Sequence, residues 1–305
     1  MANILCVSLF DNGGSLQQLT NAINKYTHHT ARHLNFKQTW LGYDVDINAN
    51  DFRNEELIEM LKDSDFFIFS ELIPERFKEL GFKLKRTNTI MRCFGTITRS
   101  QLPKYRENWS KGFITFTSGG FDPTIHPYLG FVAYHIPNIY EFSDFPEIKR
   151  GNKIKVCQAA TNKDLKSTKS VVETFMKLER DFGIETIIIH GIPWKETLKI
   201  KATCHITVDQ FMLGTYASSS VESMYLQHTV VSRISPFVRS MHPDLPIIHA
   251  TEDTLYDVIK GLLFDSNSID VIGKSGKPYA IKEHGAKENI EKWVQLIKWV
   301  QEGFK

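Results

Sequence analysis

The sequence predicts an α/β fold of two Rossmann-like domains, each an open parallel sheet covered by helices. Short apolar runs alternate with stretches of helical periodicity. Several of these runs, such as Phe66 to Phe69, are apolar throughout, as in strands buried on both faces. The alternation lapses and restarts once, and 305 residues leave room for a domain of about 150 residues on either side.

The opening run Asn3 to Phe10 ends in Asp11-Asn-Gly-Gly14, after which Leu16, Leu19, Ile23 and Tyr26 recur at helical spacing. This reads as strand, glycine turn, helix. A second strand is expected at Thr30 to Phe36, and a helix from Asn54 to Leu61 leads into the strand Phe66 to Phe69. Between residues 100 and 150, Pro103, Pro123, Pro127, Pro137 and Pro146 separate short strands such as Gly112 to Phe116. The polar, proline-containing stretch from Asn138 to Asn152 is read as the domain boundary.

Beyond it the pattern is cleaner. Strands are expected at Lys153 to Gln158, Ile184 to His190, Cys204 to Asp209 and Thr229 to Ile234. Between them lie helices built on Val171, Val172, Phe175, Met176, Leu178 and Phe182, on Trp194 to Ala202, and on Ser218 to Gln227. A last helix, Ala286 to Gln301, carries Ile290, Trp293, Val294, Ile297 and Val300 on one face. The expected division is therefore residues 1–150, residues 151–284 and a terminal helical segment, 285–305.

With 37 Lys and Arg against 35 Asp and Glu, net charge argues against a basic nucleic-acid coat, so any electrostatic role must come from local clustering. Cys6, Cys93, Cys157 and Cys204 form no C-x-x-C pair and fit reduced thiols in a cytoplasmic protein. No signal peptide or membrane span is expected, which leaves only peripheral membrane contact.

Gly273-Lys-Ser275 lacks the first glycine of a P-loop, because Ser268 stands in its place, and no G-x-G-x-x-G follows a strand. Asp44 and Asp46 have no further ligand cluster around them, so no metal site is expected. Gly13 and Gly14 would let the backbone approach an anion at a helix N-terminus, or would simply make a tight turn. Thr161-Asn-Lys-Asp-Leu-Lys-Ser-Thr168 places Lys163 and Lys166 before a helix, an arrangement suited to a diphosphate, although solvated lysines read the same way. Val208 to Val231 runs strand, glycine loop, serine-rich helix start with Glu222 one turn in, and strand, at the carboxyl edge of a parallel sheet where such folds bind ligands.

This last segment resembles the donor-binding region of GT-B glycosyltransferases of the group-one, retaining type, whose pattern runs D-Q, G-x-Y-G, then E-A-M and P-V-[IV]. Thr161 to Thr168 is similar to the same group's T-N-R-x-x-K-G-T turn, and Ile189-His-Gly-Ile-Pro-Trp194 with Lys199 to Ala202 resembles its next loop and helix. The resemblance implies two Rossmann-like domains facing across a cleft, a nucleotide-sugar donor as co-substrate, no cofactor and metal-independent transfer. Carried over, Thr161, Lys163 and Lys166 would hold the diphosphate, with Gly13, Gly14 and Gly191 nearby. Gly214, Thr215, Tyr216, Ser218 and Ser219 would meet phosphate and sugar, and Glu222 the ribose; Lys163, Lys166 and Asp209 would be catalytic. The last helix would pack on the first domain.

The chain departs from the pattern where Gly214 replaces the first acid of E-x(7)-E, where Ser167 replaces the glycine of K-G-T, and where Ala217 stands in G-x-Y-G. Asp209 is the expected stand-in for the lost acid. Gly214 also keeps open a non-catalytic nucleotide-sugar-binding protein.

Between Arg76 and Lys111, ten basic residues face two acids, with Phe77, Phe82, Phe94, Tyr105 and Trp109 interleaved. In the implied acceptor domain this window, with Lys83, Lys85, Arg86, Arg92, Arg99 and Trp109 as contacts, suggests a polyanionic acceptor: an anionic glycan, a membrane surface or DNA carrying a hydroxymethylated base. A solvated face with core aromatics is the alternative, and the oligomeric state stays open.

Overall fold

The computed structural model describes residues 1–11, 13–93, 103, 114–117 and 134–303. They form two units, one of residues 1–141 with 285–305, the other of residues 142–284. The strands are β1 (Asn3–Ser8), β2 (Thr30–Asn35), β3 (Ile47–Asn48), β4 (Phe66–Ser70), β5 (Thr89–Cys93), β6 (Ile114–Thr117), β7 (Tyr134–His135), β8 (Lys155–Ala159), β9 (Glu185–Ile189), β10 (Ile206–Val208), β11 (Thr229–Ser232) and β12 (Ile247–His249). The described helices are α1 (Ser15–Tyr26), α2 (Asn54–Leu61), α3 (Glu75–Glu79), α4 (Thr168–Phe182), α5 (Trp194–Lys201), α6 (Ser218–Tyr225), α7 (Pro236–Met241), α8 (Leu255–Phe264), α9 (Ser266–His284) and α10 (Ala286–Gln301).

In the first unit the sheet order is β3-β2-β1-β4-β5-β6-β7, all parallel. Successive residues of β1 point to opposite faces, and both faces are covered. Ile4 and Cys6 join Leu16, Leu19 and Ile23 of α1, whereas Leu5 and Val7 join Leu57 and Leu61 of α2 and Phe77 of α3. This is why the run reads as continuously apolar. The first of these layers also takes in Ile290, Trp293, Leu296, Ile297 and Val300 of α10. Burying such side chains contributes about 1.5–3 kcal/mol each, so the chain end is firmly part of the first unit.

The second sheet runs β12-β11-β10-β8-β9, again parallel, with α4 and α8 packed on one face through Val171, Phe175, Leu178, Leu255 and Ile259. The division between units falls at Glu141 and Phe142 rather than at residue 150. Residues 142–150 are polar enough to read as a linker, yet Phe142 stacks on Tyr225 with centroids 4.2 Å apart, and Phe145 meets Trp194 edge-on. Arg150 donates to the carbonyls of Cys204, Leu226 and Gln227. Much of the proline-rich middle lies outside the described residues.

Gly273, the remnant of the P-loop-like tripeptide, lies inside α9, where an added Cβ would come within 2.3 Å of the Gln227 carbonyl oxygen. Gly276 likewise faces Met224 of α6, so these glycines serve close helix packing. Among the described residues, no helix is long and apolar enough to cross a membrane.

Candidate functional site

In an open parallel sheet, the crevice for a ligand forms where consecutive connections leave to opposite sides of the sheet. In the second unit that point lies between β8 and β10. The segments that follow these two strands are Ala160 to Ser167 and Asp209 to Ala217, the two that the sequence singled out. Gln158 at the end of β8 ties them together, its Nε2 donating to the Lys166 carbonyl at 2.9 Å and to the Asp209 carbonyl at 3.2 Å.

The Lys166 ammonium, nine-tenths buried, donates to Asp209 Oδ1. Asp209 Oδ2 accepts from Ser220 Oγ at 2.5 Å and from the Ala217 N–H at 3.3 Å. Burial alone would push the Asp209 carboxyl up, but Lys166, Ser220 and the charge of Lys201 outweigh it and hold the group below the usual carboxylate range. Asp209 is fully buried, so the expectation that it meets the donor sugar is corrected: its carboxylate faces inward and orders Lys166. Lys163 is exposed, and its carbonyl accepts from the Thr168 N–H at 2.9 Å as the turn closes onto α4. Ser167 stands in the left-handed region at φ 52°, which is the physical reason for a glycine in the K-G-T pattern.

Gly214 is left-handed at φ 67°, and an added Cβ would lie 3.3 Å from that of Ser235. A glutamate there would be strained, so the missing acid belongs to the loop's geometry. Thr215 is buried, and Gln210 Nε2 donates to its carbonyl at 2.8 Å. Tyr216, expected at the phosphate and sugar, instead turns its ring into the core. It is fully buried against His242, with its hydroxyl 3.2 Å from His284 Nε2. Thr161 and Gly191 are exposed at strand ends, the latter with φ 71° and open space where a Cβ would be.

Ser218 and Ser219 open α6, which no side chain caps. Among the described residues, its N-terminal N–H groups thus have no side-chain acceptor, and they follow the loop that leaves β10 at the switch point. Glu222 is almost fully buried, and its partners come from α5. Trp194 Nε1 donates to Oε1 at 2.9 Å and Lys201 Nζ to Oε2 at 2.8 Å. Sequence reading missed both, because a lysine in a short helix carries no mark distinguishing a buried ion pair from a solvated charge.

Gly13 and Gly14 belong to the first unit, and the anion reading is corrected there. The Asp11 carboxylate accepts from the N–H groups of Ser15, Leu16 and Gln17 at 3.0, 2.9 and 3.1 Å, so the start of α1 already holds an anion of its own chain. Gly14 is needed because φ is 60° and Tyr43 lies 2.4 Å from where a Cβ would be.

Within the basic window the structure removes some candidates. Arg92 is fully buried and donates to Ser15 Oγ and Asn138 Oδ1; burial lowers its pKa to about 10 despite Asp11. Arg76 braces Asn54, Ala49 and Phe52, while Phe77 and Phe82 stack at 5.5 Å in a core cluster with Phe67. Lys83, Lys85 and Arg86 are exposed, whereas Arg99 and Trp109 lie outside the described residues. Asp46 is held by Arg32 at 2.6 Å, and no group of His, Cys, Asp and Glu suited to a metal occurs among the described residues.

No family model and no curated protein matches the chain. Solved structures match its fold. An alpha-glucosyltransferase in complex with UDP and a 13-mer DNA with a central A:G mismatch has a TM-score of 0.69 at 10% identity, over 98% of this chain and 100% of that one. Sucrose-phosphate synthase from Thermosynechococcus elongatus gives 0.68 at 9%, over 99% and 100%. HepE from Anabaena, in complex with UDP and glucose, gives 0.68 at 10%, over 98% and 100%. The chain thus has the GT-B fold of two Rossmann-like domains.

Proposed function

We propose that the chain is a nucleotide-sugar-dependent glycosyltransferase whose donor binds in the second unit and whose acceptor binds in the first. One observation carries this. Three buried oxygens, Gln158 Oε1 in β8, Thr168 Oγ1 at the start of α4 and Thr215 Oγ1 in the loop after β10, have no hydrogen-bond partner among the described residues, and each lies on or next to one of the two segments that meet at the switch point beside Lys166. Buried polar groups are rarely left unmade without a ligand or water to satisfy them. A ligand that carries both hydroxyl donors and anionic oxygens accounts for them and for the lysines together, since Gln158 Oε1 needs a donor and the threonine hydroxyls and lysines can donate to an anion.

In the transfer, the bond from the sugar's anomeric carbon to the diphosphate oxygen breaks and one to an acceptor oxygen forms, while the acceptor hydroxyl loses its proton. Negative charge grows on the leaving diphosphate. Lys163, Lys166 and the N–H groups of Ser218 and Ser219 supply preorganised positive charge there, and need no metal to do so. Lys166 turns from Asp209 to the phosphate, leaving Asp209 with Ser220, the Ala217 N–H and the field of Lys201. The Glu222 carboxylate meets the ribose. The buried free thiols of Cys6, Cys157 and Cys204 support a cytosolic setting.

Mass spectrometry of products from a panel of nucleotide sugars, with glycans and hydroxymethylated DNA as acceptors and with EDTA present, tests this reading. A sugar-sized mass gain on one acceptor is expected. Binding without transfer to any acceptor would favour a non-catalytic nucleotide-sugar-binding protein, and activity that requires added magnesium or manganese would overturn the metal-free mechanism.

For the acceptor, the exposed Lys83, Lys85 and Arg86 support a polyanion, with modified DNA as the second reading. Duplex DNA affinity should then fall by on the order of a hundredfold between about 50 and 200 mM salt, and reversing these three charges should abolish that slope. A flat response would point to a neutral glycan.

A further inference from the structure

Every N–H of the Lys201 ammonium is already committed. One goes to Glu222 Oε2 at 2.8 Å, one to the Ser219 carbonyl at 2.8 Å and one to Ser219 Oγ at 3.3 Å. The side chain is fully buried, so it offers no donor to a ligand. Its remaining effect is on Glu222. The carboxylate is gripped from α5 at both oxygens, by Lys201 on one and by Trp194 Nε1 on the other. Among the described residues, each oxygen takes one donor and keeps one lone-pair direction unused.

A carboxylate held in this way is fixed in rotation and can accept one more hydrogen bond at each oxygen, which matches the two neighbouring hydroxyl donors of a cis-diol. We infer that Lys201 and Trp194 are positioning residues that preset Glu222 for the ribose diol and so make the site discriminate ribonucleotides from 2′-deoxyribonucleotides. The inference rests on the donor-site reading above.

Lys201 has a second consequence at the same place. By holding the Ser219 carbonyl and hydroxyl it also fixes the first turn of α6, so ribose recognition and the phosphate end of the site share one buried ammonium. An ion pair serving stability alone would account for the burial, since a buried pair often contributes little net stability and yet is costly to break. It would not set a preference for the 2′-hydroxyl.

The test is calorimetry with UDP, ADP and GDP, each beside its 2′-deoxy counterpart, on the native protein and on Lys201→Met and Trp194→Phe. The native protein should bind one of the three at least about tenfold more tightly than its deoxy form, as expected for a charged hydrogen bond. In Lys201→Met that ratio should fall to within about threefold of unity, and Trp194→Phe, which keeps the aromatic packing, should lie between.

If Lys201→Met fails to fold, Trp194→Phe decides alone: an unchanged ratio overturns the positioning role. A native protein that binds no nucleotide, or binds without discrimination, overturns the donor-site reading itself. Native discrimination that both variants retain, even at lower overall affinity, overturns only this inference.

Discussion

The two units place a helix start beside a topological switch point, and they treat it in opposite ways. In the first, between β1 and β4, Asp11 fills the N-terminus of α1 with three charge-assisted hydrogen bonds. In the second, between β8 and β10, the nearby Asp209 is turned to Lys166 and Ser220, and α6 is left without a side-chain cap. One carboxylate neutralises a helix dipole; the other is paired with a lysine. The same fold therefore places two helix starts beside a switch point, and a side chain of the chain itself caps one of them.

Lys166→Met should break this comparison most severely. It strands the buried Asp209 carboxylate, which costs about 3–5 kcal/mol in chemical denaturation. Adding Asp209→Asn should recover much of that stability while turnover stays lost, because the charge at the leaving diphosphate is not restored. If the double variant regained activity, Lys166 would have only a structural role.

The glycines come next. Gly273→Ala drives a Cβ against the backbone of Gln227, which cannot rotate away, and should cost about 2–4 kcal/mol. Gly14→Ala meets only the side chain of Tyr43 and should cost about 1–3 kcal/mol despite its left-handed φ. Denaturant midpoints reversed in order would show that the first unit is the tighter.

Asp11→Ala removes the cap of α1 and should cost about 1–2 kcal/mol with nucleotide affinity unchanged. A fall in affinity would return the glycine turn of the first unit to the donor site. The smallest effect concerns pH. Because the folded state holds Asp209 below its ordinary range, its contribution to stability is present above the unfolded pKa, near 4, and is lost as pH falls through the folded value. An acid titration of stability should fall less steeply in Asp209→Asn below about pH 4; identical acid limbs would remove Asp209 as the group responsible.

The elements that carry the candidate site of the second unit were legible because their pattern is local. Strand, turn and helix follow from periodicity, and Lys163, Lys166, Gly214 and Glu222 lie within two short stretches. Helix ends were legible for the same reason: Asn54 to Leu61 and Ala286 to Gln301 have the predicted limits. What sequence order could not supply was the partner of each charge. Lys201 and Glu222 are 21 positions apart, and Lys166 and Asp209 are 43 apart.

The sequence by itself determined the α/β class and the residues crowding the carboxyl edge of the second sheet, since alternating short apolar runs admit few other folds. Only the tertiary structure decided which candidate residues of either unit remain available to a ligand. Tyr216 turned into the core, Arg92 sank beneath α1 and Asp11 closed the first glycine turn, because burial forces each polar group to find its partner across the fold, and that partner need not be near in sequence.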